Sequence, residues 1–224
     1  MGLDFLALLG HEFGAFQSCL DGDLTAPVDH CGDWTLRDLA AHLGQGNLWS
    51  AAAIREKRGD LRPPVPDGDL RPWLAASGDE LLEALQADPD TEAWTFAPPH
   101  TVGFWRRRRC LETAVHRWDA GHALGRPPHL DPQLCGDGVA EVIEVFVGRQ
   151  VKRGLAVAPA AAVRFTATDL GVSWVLGPGE PVATLGATAQ DLLLGLWGRL
   201  PLPWDAVTGD EVTARVALRG PLTP

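Results

Sequence analysis

The sequence predicts an α+β protein of two domains, a helical bundle followed by a small α+β domain. Three observations carry that expectation. Residues 1 to about 154 contain five helix-length stretches with apolar residues at near-helical spacing. Several of these open on helix-start signals, a Thr, Ser or Asp followed by an acid or a proline. After "GLAVAPAAA" the pattern changes to the apolar–polar alternation of strands. The expected domains are therefore 1–154, the bundle, and 155–224, the mixed domain.

The first helix is expected over Leu3 to about Leu20, where Phe5, Leu6, Leu9, Phe13 and Phe16 recur on one face. In "WTLRDL", Thr35 is the expected cap and Asp38 the reciprocal acid of a capping box, with Trp34 packing on Leu39 as a staple. That second helix should run to about Arg58. A third is expected from near Ser77 to before Pro89, and a fourth from about Thr101 to Gly125, a C-terminal cap. Asp131 and Pro132 open the fifth, which continues to Gly154. Beyond it, "AVRFTATD" and "VSWVLGP" flank a turn at Leu170-Gly171, and "EPVATLGA" supplies a third strand. "TAQDLLLGLWGRL" is a helix capped by Thr188 with Asp191 at its third position, and "EVTARVALRG" reads as a last strand.

Composition narrows the partners. The 224 residues are 46% hydrophobic and 21% charged, the balance of a folded soluble protein. A net charge of −10 argues against nucleic acid and against an anionic membrane surface. Lys57 and Lys152 are the only lysines and tyrosine is absent, as in products of GC-rich genomes. None of the four cysteines forms a C-x-x-C pair, so a zinc ribbon or dithiol redox motif is not indicated. The first residues lack a basic n-region and no stretch is long enough to span a bilayer, which makes the reducing cytoplasm the expected location.

One stretch suggests chemistry. In "CLETAVHRWDAGHALGRPP", Glu112 and His116 stand one turn apart on one helical face. By itself such a pair is an ordinary solvated interaction. His42 shares its face with Leu36, Leu39 and Leu43 and so points into the bundle, where its ring needs a partner. That partner is a backbone group or Glu112, or else His42, Glu112 and His116 form a three-ligand metal site with an open position. Asp119 is placed to orient the His116 ring, although a surface salt bridge is the simpler account. In "WRRRR" (105–109) four consecutive arginines cannot share a face, so at least one turns inward, where an anion can meet it.

The strings "WTLRDLAAHL", "ETAVHRWDAGHALG" and "ATAQDLLLGLWGRL" fall in this order across nearly the whole chain. Together they resemble the mycothiol-dependent maleylpyruvate isomerase family, actinobacterial proteins with a DinB-like bundle of four or five helices and a small C-terminal α/β domain. The resemblance implies a divalent metal, normally Zn2+, held by His42, Glu112 and His116. It implies mycothiol, or a similar low-molecular-weight thiol, as cosubstrate and a small electrophile as substrate. Either cis–trans isomerisation or thiol S-transfer would follow from metal activation of the thiol. Arg199, which closes "LLLGLWGR", would clamp a carboxylate, although a C-terminal arginine also suits the helix dipole. Two other readings stand beside these. One is a non-catalytic metal-binding regulator of the same fold, the other a metal enzyme that uses bound water without thiol.

Overall fold

The computed structural model describes residues 2–224, which divide into two compact units, one through His129 and the other from Leu130 to Pro224. The first unit contains four helices: α1 (Phe5–Cys19), α2 (Leu36–Arg55), α3 (Leu70–Ala84) and α4 (Val102–Ala123). α1 packs on α4 and α3, and α2 packs on α3 and α4. Phe13, Phe16, Leu36, Leu39, Leu43, Leu70 and Leu74 interlock in one buried cluster, with Trp34 against it as the expected staple residue.

Local chemistry sets the ends of these helices. Thr35 Oγ1 accepts from the Asp38 backbone and the Asp38 carboxylate accepts from Thr35 N, so the capping box is complete. α3 begins at Leu70, several residues before the expected Ser77. Asp69 caps it, and Pro72 is tolerated because a first-turn residue has no intrahelical acceptor for its N–H. Inside α3, a Cβ on Gly78 would lie 2.0 Å from Phe13 Cε1, so that glycine lets α1 and α3 approach. Gly125 follows α4 at φ +71°, the conformation its expected capping role requires.

The second unit opens with α5 (Pro132–Glu141), continues through a π-helical turn (Val142–Phe146) into α6 (Val147–Lys152), and then forms a sheet. β1 (Ala162–Ala167) pairs antiparallel with β2 (Val172–Leu176) and parallel with β3 (Pro181–Ala187); β4 (Val207–Gly209) adds antiparallel to β3. The strand order is β2-β1-β3-β4. α7 (Ala189–Leu196) packs on α5 and on β1, and α8 (Glu211–Ala217) on β1 and β3.

Two expectations are corrected here. The helix opened by Asp131 and Pro132 packs on α7 within the second unit, so the expected boundary at 154 falls inside that unit and the bundle has four helices. "EVTARVALRG" is helical rather than a strand. The Asp210 carboxylate accepts from Thr213 N at 3.0 Å, and Arg215 Nε donates to Glu211 one turn back at 2.7 Å. Ala214 and Ala217 face the core while Val212 and Val216 are exposed, a helical and not an alternating split. Among the described residues, no helix is long and apolar enough to cross a membrane.

Candidate metal centre

The capped start of α2 fixes the rotation at which His42 emerges, beside the fully buried Leu39 and Leu43. α4 contributes Glu112, His116 and Asp119, spaced four and three residues apart and therefore on one face. The two helices bring the sequence-predicted trio together. His42 Nε2 lies 3.1 Å from Glu112 Oε1, and His116 Nε2 lies 4.0 Å from the same oxygen. The two imidazoles meet edge to face with centroids 5.2 Å apart, and Trp34 covers the His42 ring at 4.9 Å.

These three residues offer ligand atoms that all lie within 4.8 Å of one another. A tetrahedral ion with bonds of about 2.0–2.1 Å holds its ligands roughly 3.3 Å apart, so the donors fit such an ion with small rotamer adjustments. Exposure is graded across the trio. His116 is 5% exposed, while the Glu112 and His42 side chains are 18% and 38% exposed. His42 is thus the most solvent-accessible of the three.

Two of the donors, Glu112 and His116, are held in their ligand-competent form. Burial by itself would push the Glu112 carboxyl up, but the Arg109 charge, the His42 hydrogen bond and the Arg108 charge hold it well below the usual carboxylate range. Burial pushes the His116 imidazole down, against the pull of Asp119, so the ring is neutral at pH 7. His116 Nδ1 donates to Asp119 Oδ2 at 2.9 Å, which leaves Nε2 as the free lone pair facing Glu112. Asp119 is 1% exposed, so the contact is a buried hydrogen bond and not a surface salt bridge. Replacing Asp119 with asparagine should lower metal affinity by about 10–100-fold, read by competition with a chromophoric chelator, with little change in the circular dichroism spectrum.

Two features were not located by sequence reasoning. The inward-facing members of "WRRRR" are Arg108 and Arg109, 3% and 2% exposed, and the anion they meet is Glu112. Arg106 instead donates to the Leu85 and Ala87 carbonyls beyond the end of α3. The signal for Arg109 was the three-residue step to Glu112. The second feature is Cys31, whose thiol lies 3.8 Å from Asp119 Oδ2 and which forms with His116 and Asp119 another group of potential ligands. His122 stays outside the trio, stacked on Trp118 at 4.8 Å. Arg199 lies in the second unit, 8% exposed, and its Nη1 donates to the Trp197 carbonyl at 2.9 Å.

The chain is 27% identical over 157 residues to an uncharacterized protein of Mycobacterium tuberculosis, called Rv0738 in one strain and MT0763 in another; the match covers 65% of this chain and 81% of the relative. Its fold is similar to the crystal structure of the mycothiol-dependent maleylpyruvate isomerase, with a TM-score of 0.67 at 14% identity and 92% of each chain covered. A histidine-to-alanine mutant of that isomerase gives a TM-score of 0.65 at 13% identity with the same coverage. Residues 6–121 match the mycothiol maleylpyruvate isomerase N-terminal domain, and residues 133–219 match the C-terminal domain of the same proteins. The two matched domains fall one in each compact unit, and the chain belongs to the mycothiol maleylpyruvate isomerase family.

Proposed function

We propose that this chain is a metal-dependent enzyme that uses a low-molecular-weight thiol, mycothiol in the first instance, as a cis–trans isomerase or thiol S-transferase. The observation that carries the reading is the convergence of His42, Glu112 and His116 from two helices, with Glu112 Oε1 3.1 Å from His42 Nε2 and 4.0 Å from His116 Nε2. Family membership and the fold shared with the isomerase support it.

Two imidazoles and a carboxylate suit a divalent ion, zinc first, and an ion bound there supplies the positive charge that keeps a thiol ionised at neutral pH. The chain's residues do the rest. Asp119 keeps the His116 proton on Nδ1 and directs Nε2 inward. Glu112 turns Oε1 toward the histidines while Oε2 remains on Arg109. His42, the most exposed of the trio, forms the rim past which thiol and substrate enter. Arg199 keeps the role that the resemblance implies, a bidentate partner for a carboxylate. In the isomerisation, the thiolate sulfur adds to a double bond conjugated with a carbonyl, and the electron pair moves onto that carbonyl. Rotation about the new single bond follows, and return of the pair breaks the C–S bond and releases the thiol from the trans product.

The test is metal analysis of the purified protein, followed by calorimetric titration of mycothiol into metal-loaded wild type and His42→Ala and an assay of maleylpyruvate for the trans isomer. Stoichiometric metal, thiol binding lost in His42→Ala, and mycothiol-dependent turnover of maleylpyruvate or of an S-transfer electrophile are expected. Metal without thiol affinity would favour bound water as the nucleophile. A protein that takes up no metal and no thiol would overturn the enzyme reading.

A further inference from the structure

Glu112 has two oxygens with different surroundings. Oε1 faces His42 at 3.1 Å and His116 at 4.0 Å. Oε2 accepts from Arg109 Nη1 at 2.6 Å, a short charge-assisted bond, and Arg108 Nε lies 3.6 Å from the same atom. Arg109 is itself clamped. Its Nη2 donates to Asn47 Oδ1 at 2.8 Å and to the Leu43 carbonyl at 3.3 Å, both on α2. Asn47 Nδ2 donates to Ser77 Oγ at 3.2 Å, and Ser77 Oγ donates to the Leu74 carbonyl at 2.7 Å on α3. Asn47 is fully buried, Ser77 1% exposed and Arg109 2% exposed. A buried polar line thus runs from α3 through α2 to the carboxylate on α4.

The space for the guanidinium is made by one residue. A Cβ on Gly46 would lie 2.5 Å from Arg109 Nη1 and 3.0 Å from its Cζ. Gly46 lies inside α2, where glycine is otherwise a poor choice. Its absent side chain coincides with the seat of the group that holds Oε2.

From this geometry we infer that Arg109, seated against Gly46 and clamped by Asn47 and the Leu43 carbonyl, is a positioning residue that restricts Glu112 to one-oxygen coordination of a metal. With Oε2 committed to the guanidinium, only Oε1 is presented to the histidines. The pairing also offsets the carboxylate charge, so an ion bound to two neutral imidazoles and Glu112 keeps more of its positive charge for an anionic ligand. The inference rests on the metal-centre reading and extends it to residues placed behind the ligand Glu112.

The experiment uses Co2+ as a spectroscopic probe of the full-length protein. Gly46→Ala is the principal variant, because it displaces the guanidinium without removing its charge and replaces glycine by the best helix former. Arg109→Met and Arg109→Lys are the second pair. Gly46→Ala and Arg109→Met are expected to bind Co2+ about 10–100-fold more weakly than wild type, with an altered visible d–d spectrum. Metal-free Gly46→Ala should keep the wild-type circular dichroism spectrum while its urea midpoint falls, because the displaced guanidinium loses buried partners, so Co2+ affinity is read on folded protein. Arg109→Lys should recover part of the affinity, since an ammonium still reaches one carboxylate oxygen. Wild-type Co2+ affinity and spectrum in Gly46→Ala and Arg109→Met would overturn the positioning role while leaving the metal centre intact. Failure of wild type itself to bind Co2+ would overturn the metal centre, and this inference with it.

Discussion

Glu112→Gln is expected to abolish metal binding and to destabilise the bundle at the same time. Glutamine keeps the shape of the side chain but supplies a weak neutral oxygen where a charged one faces His42 and His116. Metal affinity should fall by more than the roughly 100-fold that marks loss of an outer partner, and metal-dependent turnover should fall with it. The same change leaves Arg109, 2% exposed, without its counter-charge. Breaking a buried ion pair from one side costs about 3–5 kcal/mol. The lower end, roughly 3 kcal/mol, applies here, because Gln Oε1 can still accept from Arg109 and the site is partly open to solvent.

The pH dependence of that loss has a definite sign. Glu112 is held well below the usual carboxylate range in the folded protein, burial being outweighed by Arg109, His42 and Arg108. Its stabilising contribution is therefore complete above the unfolded carboxyl pKa of about 4.3 and is lost as pH falls through the lower folded value. The stability gap between metal-free wild type and Glu112→Gln should be constant near neutrality and narrow progressively as pH falls below about 4.3, as read by urea midpoints across the acid range.

Gly78→Val is the second large effect, and it involves no chemistry at all. The first added carbon would lie 2.0 Å from Phe13 Cε1 and 2.6 Å from Cζ, and Phe13 is 6% exposed within the main core cluster. A buried ring has no free space to move into, so α1 and α3 must separate. Overpacking of this kind costs about 1–3 kcal/mol, and the upper end is expected because valine adds three carbons at the contact. Gly10→Ala on α1 is the control, since nothing lies within 4 Å of its added carbon. It should leave stability unchanged or raise it by up to about 1 kcal/mol. Equal urea midpoints for Gly78→Val and wild type would contradict the α1–α3 packing described above.

Much of this fold is legible in the sequence because its signals are local. Thr35 with Asp38, Asp131 with Pro132, and Thr188 with Asp191 each mark a helix start within four residues, and the structure places a helix at all three. The misread segments are those where local signals compete. Pro72 concealed the first turn of α3, although a proline is harmless there. Val212, Thr213 and Val216 suggested a strand, and the Asp210 cap with the Glu211–Arg215 pair made a helix instead. That α5 packs on α7 could not be read locally at all, since it depends on which apolar face finds which partner. The site divides in the same way. Glu112 and His116 are legible as a pair through helical spacing, and His42 through its apolar neighbours. Gly46 is not, because its role depends on an arginine 63 positions further along the chain.

The joint hold of His42, Glu112 and His116 on a divalent ion is tested most directly by zinc K-edge X-ray absorption of the metal-loaded, thiol-free protein. The expected spectrum has nitrogen and oxygen neighbours only, near 2.0–2.1 Å, with the multiple-scattering signature of two imidazoles. A zinc–sulfur distance of about 2.3 Å would place the ion on the neighbouring Cys31, His116 and Asp119 group and contradict the centre described here.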